Sequence, residues 1–351
     1  MTIVFIVPGP LGQLTGGYLF DKRVIEGLRA AGRAVDVREL PGAFFPSADA
    51  AALAAADAVL SALPEEDAAI IDGLALPAFA EVLTPPTTGS RRRLIGFVHH
   101  PLARETGLAE DARETLAGLE ARLLTRLKGV LCPSAGTAWA LEEYGVARER
   151  IAIAPPGTEK PAEPARRSPR AGPLRLLAVG TISPRKGHLL LVDALAEVAD
   201  RPWELSCIGS LTRDPATLAA LQRAIGRHGF GERVKLLGER PPERLAEAYA
   251  AADVFVLPSY HEGYGMAFAE ALAHGLPVVA TSAVAETVPA EASLLVPPGD
   301  VAALAAALRL LMDNAPLRAR LAMGAAKAGA ALPDWQTAID RWIAAFDRLS
   351  A

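Results

Sequence analysis

Two carboxylates eight residues apart, Glu262 and Glu270, bracket the run Gly263-Tyr264-Gly265-Met266-Ala267-Phe268-Ala269. Before them lie the apolar run Val254–Leu257 and the turn Pro258-Ser259, so the order reads strand, glycine-containing loop, helix. Backbone N–H groups at a helix start lack partners and carry partial positive charge, which suits a phosphate. Gly263 and Gly265 would let backbone come close to a ligand. Glu262 is expected just before the helix and Glu270 about two turns on, near one face. Carboxylates accept strongly from sugar and ribose hydroxyls. A capped helix with two solvated glutamates is the plain alternative.

Three further stretches have chemistry in reach. Gly180-Thr-Ile-Ser-Pro-Arg185-Lys186-Gly187 follows the apolar run 174–179 and opens a helix. Cations there oppose the helix dipole and need a compensating anion, which a diphosphate would supply; a solvated pair is the alternative. Gly9-Pro-Leu-Gly12-Gln-Leu-Thr-Gly16-Gly17-Tyr18 is glycine-rich but lacks the Gly-x-Gly-x-x-Gly spacing, so a nicotinamide dinucleotide is poorly supported. Its Gly-Gly pair can admit an acceptor or a phosphate. His99-His100-Pro101 leaves the run 94–98, and a side chain at a parallel strand's carboxyl end points towards ligand. Adjacent residues of an extended chain face opposite ways, so one of the two histidines is expected in the site. A satisfied structural histidine is the alternative. The chain has no Asp-x-Asp, no phosphate-binding Gly-x-x-x-x-Gly-Lys, no Gly-x-Ser-x-Gly and no His/Cys cluster at metal spacing. No metal and no cofactor are expected.

The elements that must position these residues alternate along the chain. Strands are predicted at 3–7, 34–37, 58–63, 94–98, 130–132 and 151–154, then at 174–179, 204–208, 234–237, 254–257, 277–280 and 293–296. Helical stripes separate most of them, among them 18–31, 114–128, 187–199, 243–251, 264–273 and 301–311, the last with Asp300 as N-cap. Such alternation means parallel sheets covered on both faces. The proline-rich stretch 155–173 interrupts it. The expected fold is α/β with two Rossmann-like domains facing a central cleft. Residues 1–160 form the first domain, 161–173 a linker and 174–334 the second, while a helix at 335–351 packs back on the first through Trp335, Trp342 and Phe346.

Composition agrees with this. The chain has 351 residues, 51% of them hydrophobic, and a net charge of −4, which offers no footprint for nucleic acid. Cys132 and Cys207 lie in strand-like runs and read as buried free thiols. With no signal-peptide pattern and no apolar run of membrane-spanning length, a cytoplasmic protein is expected. A basic surface around the leucine stripe at 113–128 (Arg122, Arg126 and Lys128), with Arg91-Arg92-Arg93, keeps open a peripheral contact with the membrane's inner face.

Together these motifs resemble the family-4 glycosyltransferases over nearly the whole chain. The most specific is the Glu-x7-Glu element in LPSYHEGYGMAFAEALAHGLPVVAT; Gly180 to Gly187, Gly16-Gly17 and LLVPPGD follow in the family's order. The resemblance implies the GT-B fold, retention of anomeric configuration and no metal. It implies a nucleotide-sugar donor: Arg185 and Lys186 neutralise the diphosphate, and Glu270 holds the ribose. Glu262 and the stretch Gly263 to Met266 hold the sugar and β-phosphate, while Gly180 borders the donor. His99, with His100 as second candidate, touches the sugar. Gly16, Gly17 and Tyr18 border an acceptor that is a sugar, a lipid or a small molecule. The implied step is a front-face displacement assisted by the leaving diphosphate. A sugar phosphorylase, a nucleotide-sugar epimerase and a non-catalytic nucleotide-sugar-binding protein are the competing readings.

Overall fold

The computed structural model describes residues 2–83, 93–161 and 172–351, and the chain divides into two units. The first comprises Met1–Gly157 and Trp335–Ala351. Its elements are β1 (Ile3–Pro8), α1 (Gly16–Ala30), β2 (Val35–Leu40), α2 (Ala50–Ser61), β3 (Ala68–Asp72), β4 (Arg93–Phe97), α3 (Glu110–Leu124), β5 (Gly129–Cys132), α4 (Ala135–Glu143) and β6 (Ile151–Ile153). The strands form one parallel sheet in the order β2-β1-β3-β4-β5-β6. Strand order reverses between β1 and β3, which leave the sheet's carboxyl edge side by side.

One predicted strand is wrong. Residues 58–63 end α2 and its following turn, and the strand is Ala68–Asp72, buried at all five positions. Alanine is the strongest helix former. The alanine-rich run takes its cap from Asp49, whose carboxylate accepts from Ala52 N–H at 2.9 Å. In a run so uniformly apolar, periodicity separates helix from strand poorly.

In the leucine stripe of α3, Leu123 and Leu124, with Leu127 beyond the helix, are buried in the core with the sheet, and Leu116 is buried against Leu102 and Ala103. Arg93 and Lys128 donate to the Ser350 carbonyl oxygen at 3.1 and 3.0 Å, at the end of the last helix, Trp335–Ser350. Arg91 and Arg92 lie outside the described residues. Among the described residues no helix is long and apolar enough to cross a membrane.

The last helix lies against α1, β4, β5 and β6. Trp342 and Phe346 are buried, their rings stacked 5.7 Å apart, and Trp342 meets Phe97 of β4 edge-on at 5.5 Å. Trp335 packs beside Phe20 at 5.9 Å, under the Arg23 guanidinium.

The second unit is Thr158–Asp334. Its first residue, Thr158, lies ahead of both the linker expected at 161–173 and the domain start expected at 174: Thr158 N–H donates to Pro333 O at 2.9 Å and Lys160 Nζ to Ala330 O at 2.9 Å. Residues 162–171, most of the expected linker, lie outside the described residues. Its elements are β7 (Leu174–Val179), α5 (His188–Ala196), β8 (Trp203–Ile208), α6 (Pro215–Arg227), β9 (Val234–Leu236), α7 (Pro242–Ala251), β10 (Val254–Leu257), α8 (Met266–Ala273), β11 (Val278–Thr281), β12 (Ser293–Val296), α9 (Val301–Asp313) and α10 (Ala315–Ala331). The sheet is parallel in the order β12-β11-β10-β7-β8-β9. Its order reverses between β7 and β10, paired through Val254↔Leu176 and Phe255↔Leu177. Asp300 caps α9 by accepting from Ala303 N–H at 2.8 Å. Cys132 and Cys207 are buried and form no disulfide, one in each sheet.

Candidate active site

In an open parallel sheet a ligand sits beyond the strands' carboxyl ends where the strand order reverses. In the second unit those ends are Val179 and Leu257, and the chain leaving them carries 180–187 and 258–265, the two motifs of the sequence. The loops are laced together. Tyr260 N–H donates to Arg185 O at 2.8 Å, and Arg185 Nη1 donates to His261 O at 2.9 Å. Gly187 has φ 69°, and a Cβ there would lie 2.2 Å from Pro258 O, so only glycine fits.

Both cations converge on one carboxylate. Lys186 Nζ lies 2.6 Å from Glu262 Oε1 and Arg185 Nη1 3.3 Å from Oε2, while Ser259 Oγ donates to Oε1 at 2.7 Å. The Glu262 side chain is 7% exposed and the two basic ones 15% each. Burial pushes the Glu262 carboxyl up, but Lys186, Arg185 and the hydrogen bonds outweigh it and hold it down at about 2. The anion that the Arg-Lys pair requires is thus supplied by the chain itself. Gly180 makes room for this arrangement: a Cβ there would lie 3.4 Å from Cδ and Cε of Lys186.

Helix α8 starts at Met266, behind Gly265 at φ 90°, so Glu262 lies before it and Glu270 within it. Glu270 meets Tyr249, whose hydroxyl donates to Oε2 at 2.8 Å. Burial pushes the Glu270 carboxyl up to about 7, with Tyr249 pulling down and Glu159 pushing up. The Tyr264 carbonyl accepts from the Thr287 hydroxyl, and burial with the nearby Glu286 raises its phenol. Gly263, Tyr264, Gly265 and Met266 form the approach to the α8 N-terminus, where Phe268 N–H already donates to Gly265 O at 2.9 Å and the N–H groups ahead of it are those a helix start leaves without intrahelical acceptors.

The first unit gathers a second cluster at its own reversal point. His99 Nε2 lies 3.0 Å from Asp21 Oδ1 and 3.2 Å from Asp72 Oδ2. Asp21 comes from α1 and Asp72 from the end of β3; both are buried, and His99 is 20% exposed. Burial disfavours a charged His99, but the two carboxylates outweigh it and raise its pKa, so the ring is held as imidazolium. Phe97 and Phe20 border it at ring distances of 4.6 and 5.8 Å. A Cβ on Gly17 would stand 3.2 Å from His99 Cδ2, so the Gly16-Gly17 start of α1 brings backbone against the imidazole. His100 pairs instead with Glu105 at 2.8 Å. Tyr18 is buried, and its hydroxyl donates to Pro8 O and pins α1 to the end of β1. Among the described residues Asp21, Asp72 and His99 are the group whose ligand atoms, within 4.8 Å of one another, could hold a metal ion.

Four residues of these clusters are not among the site residues expected from the sequence. Asp72 ends the strand that was misplaced; reading Ala68–Asp72 as a strand would have put a carboxylate at its carboxyl end. Ser259 follows β10 directly, the position from which a parallel strand presents polar groups. Asp21 and Tyr249 lie inside helical patterns and carry no local signal of their partners.

Two family models match the chain. Residues 173–314 match "Glycosyl transferases group 1" and residues 18–160 match "Glycosyltransferase Family 4". The D-inositol 3-phosphate glycosyltransferase of Corynebacterium efficiens is 35% identical over 189 residues, 50% of this chain and 43% of that protein. The match thus spans less than half the length of that relative. Among solved structures, sucrose-phosphate synthase from Thermosynechococcus elongatus is similar with a TM-score of 0.81 and 23% identity over 99% of both chains. Anabaena HepE in complex with UDP and glucose follows with a TM-score of 0.74 and 21% identity over 98% of both chains. Both likenesses show the fold, which is GT-B. With the two models lying one after the other over most of the sequence, the chain belongs to the family-4 glycosyltransferases.

Proposed function

We propose that the protein moves a sugar from a nucleoside-diphosphate sugar to an acceptor hydroxyl, with retention of anomeric configuration and without a metal. The observation that carries this reading is the pair Arg185 and Lys186, held on a buried carboxylate at the approach to the α8 N-terminus. The UDP bound to HepE supports a nucleotide donor.

As the bond from the sugar's anomeric carbon to the phosphate oxygen breaks, negative charge builds on the diphosphate. Lys186, Arg185 and the first-turn amides of α8 stabilise that charge, and preorganised donors of this kind are often the largest catalytic contribution. The acceptor oxygen bonds to the anomeric carbon on the same face, and its proton passes to the leaving phosphate. Glu262 orients the cations and the sugar and forms no glycosyl bond, unlike the nucleophile of a retaining glycosidase. Glu270 accepts from the ribose hydroxyls. His99, charged between Asp21 and Asp72, donates to a hydroxyl of the donor sugar, and Gly16 and Gly17 border the acceptor.

The test is incubation with UDP-, GDP- and ADP-sugars in excess chelator, reading nucleoside diphosphate release and the product anomer. Release with retention, lowered at least 100-fold by alanine at both Arg185 and Lys186, is expected. An unchanged rate in that variant removes the pair from the reaction; loss of turnover on chelation removes the metal-free reading.

A further inference from the structure

Glu270 is approached from behind by a residue that no motif marks. The Tyr249 hydroxyl, near the end of α7, lies 2.8 Å from Glu270 Oε2 and 3.1 Å from the Ala267 carbonyl oxygen. Tyr249 is 1% exposed. Its ring is stacked on His274 at 5.2 Å and on Phe255 at 6.0 Å, so it has little freedom to turn away. A phenol has one proton and here two acceptors. When Glu270 is ionised, the proton points to Oε2. When Glu270 is protonated, its own O–H can donate to the phenol oxygen, and the phenol proton turns to the Ala267 carbonyl. Both states are satisfied without moving a heavy atom, so the carboxylate keeps one orientation. Oε1 is then the oxygen left for a ligand hydroxyl.

We propose that Tyr249 is a positioning residue for nucleoside recognition, fixing Glu270 through Oε2 so that Oε1 meets a ribose hydroxyl. The proposal rests on the reading of Glu270 as the ribose-binding carboxylate. Tyr249 acts only through Glu270, so it governs the part of the ligand that carries a ribose and leaves the diphosphate alone.

Calorimetric titration of the full chain with UDP, GDP, ADP and inorganic diphosphate separates these parts. Tyr249→Phe is expected to weaken the best-bound nucleoside diphosphate about tenfold and to leave inorganic diphosphate unchanged. The weakening grows from pH 8 to pH 6, because a carboxylate that has lost a hydrogen-bond donor is more readily protonated. Glu270→Gln weakens the nucleoside diphosphate as well, and the double variant is no weaker than Glu270→Gln. Equal losses for nucleoside and inorganic diphosphate, or additive losses in the double variant, overturn the proposal. An affected Glu270→Gln beside an unaffected Tyr249→Phe removes Tyr249 alone. If Glu270→Gln binds every ligand as the parent does, the ribose reading of Glu270 fails and takes the proposal with it.

Discussion

Glu262 already holds Lys186 and Arg185, the two cations proposed to meet the diphosphate. Its spacing from Glu270 is legible in the sequence, and so is the Arg185-Lys186 pair. That the three belong together comes from the family resemblance alone, because spacing along the chain cannot show that β7 and β10 become neighbours in the sheet. With Glu262 ionised, a diphosphate must compete for Lys186 and Arg185. Glu262→Gln is therefore expected to bind inorganic diphosphate several-fold more tightly, with a steeper salt dependence, while donor turnover falls. Weaker binding in this variant would show that the carboxylate only holds the cations in shape. The pH behaviour has a definite sign. The folded carboxyl is depressed to about 2 from the usual 4.5. Its contribution is therefore complete above pH 4.5 and is lost as pH falls towards 2. Melting of the parent should drop more steeply than that of Glu262→Gln over that range, by an amount on the order of 3 kcal/mol.

The connection from β4 to α3 shows how an element places a site residue. His99 leaves β4, and the turn beyond it is held from below by a helix. Glu120 of α3 is buried, and its two carboxylate oxygens accept from Leu102 N–H at 2.7 Å and Ala103 N–H at 2.9 Å. Burial pushes this carboxyl up to about 7 against the pull of both amides and Arg104. The helical leucine stripe of α3 is plain in the sequence, but Glu120 reads there as one more polar position. Only the packed helix shows it aimed inward. Removing it leaves two buried N–H groups without an acceptor, each costing about 1–3 kcal/mol. Glu120→Ala is thus expected to lower stability by about 2–4 kcal/mol and to speed amide exchange at Leu102 and Ala103. Unchanged exchange at those two amides would show that the turn holds itself.

At the scale of the whole molecule, strand–helix alternation carried two parallel sheets into view, because buried parallel strands are continuous apolar runs that sequence displays directly. The alternation failed where alanine made helix and strand look alike, at 58–63, and with it went Asp72, one of the two carboxylates on His99. The last helix gives the opposite lesson. Its aromatic stripe is legible, and the structure adds a line of contacts to His99: Phe346 on Trp342, Trp342 on Phe97 at 5.5 Å, Phe97 on His99 at 4.6 Å. Truncating Trp342, which is fully buried, removes the wall behind Phe97. Large aromatic-to-alanine changes in a core cost about 3–5 kcal/mol. Trp342→Ala should therefore lower the melting temperature. On the role proposed for His99 it should also slow transfer about tenfold below that temperature, since small misplacements of a catalytic group are expensive. Inorganic diphosphate, whose cations lie on the other unit's β7 and β10 loops, should bind as before. Calorimetry and donor turnover on the same preparation check both halves of this. A variant that melts lower yet turns over donor at the parent rate would show that His99 keeps its place through Asp21 and Asp72 alone.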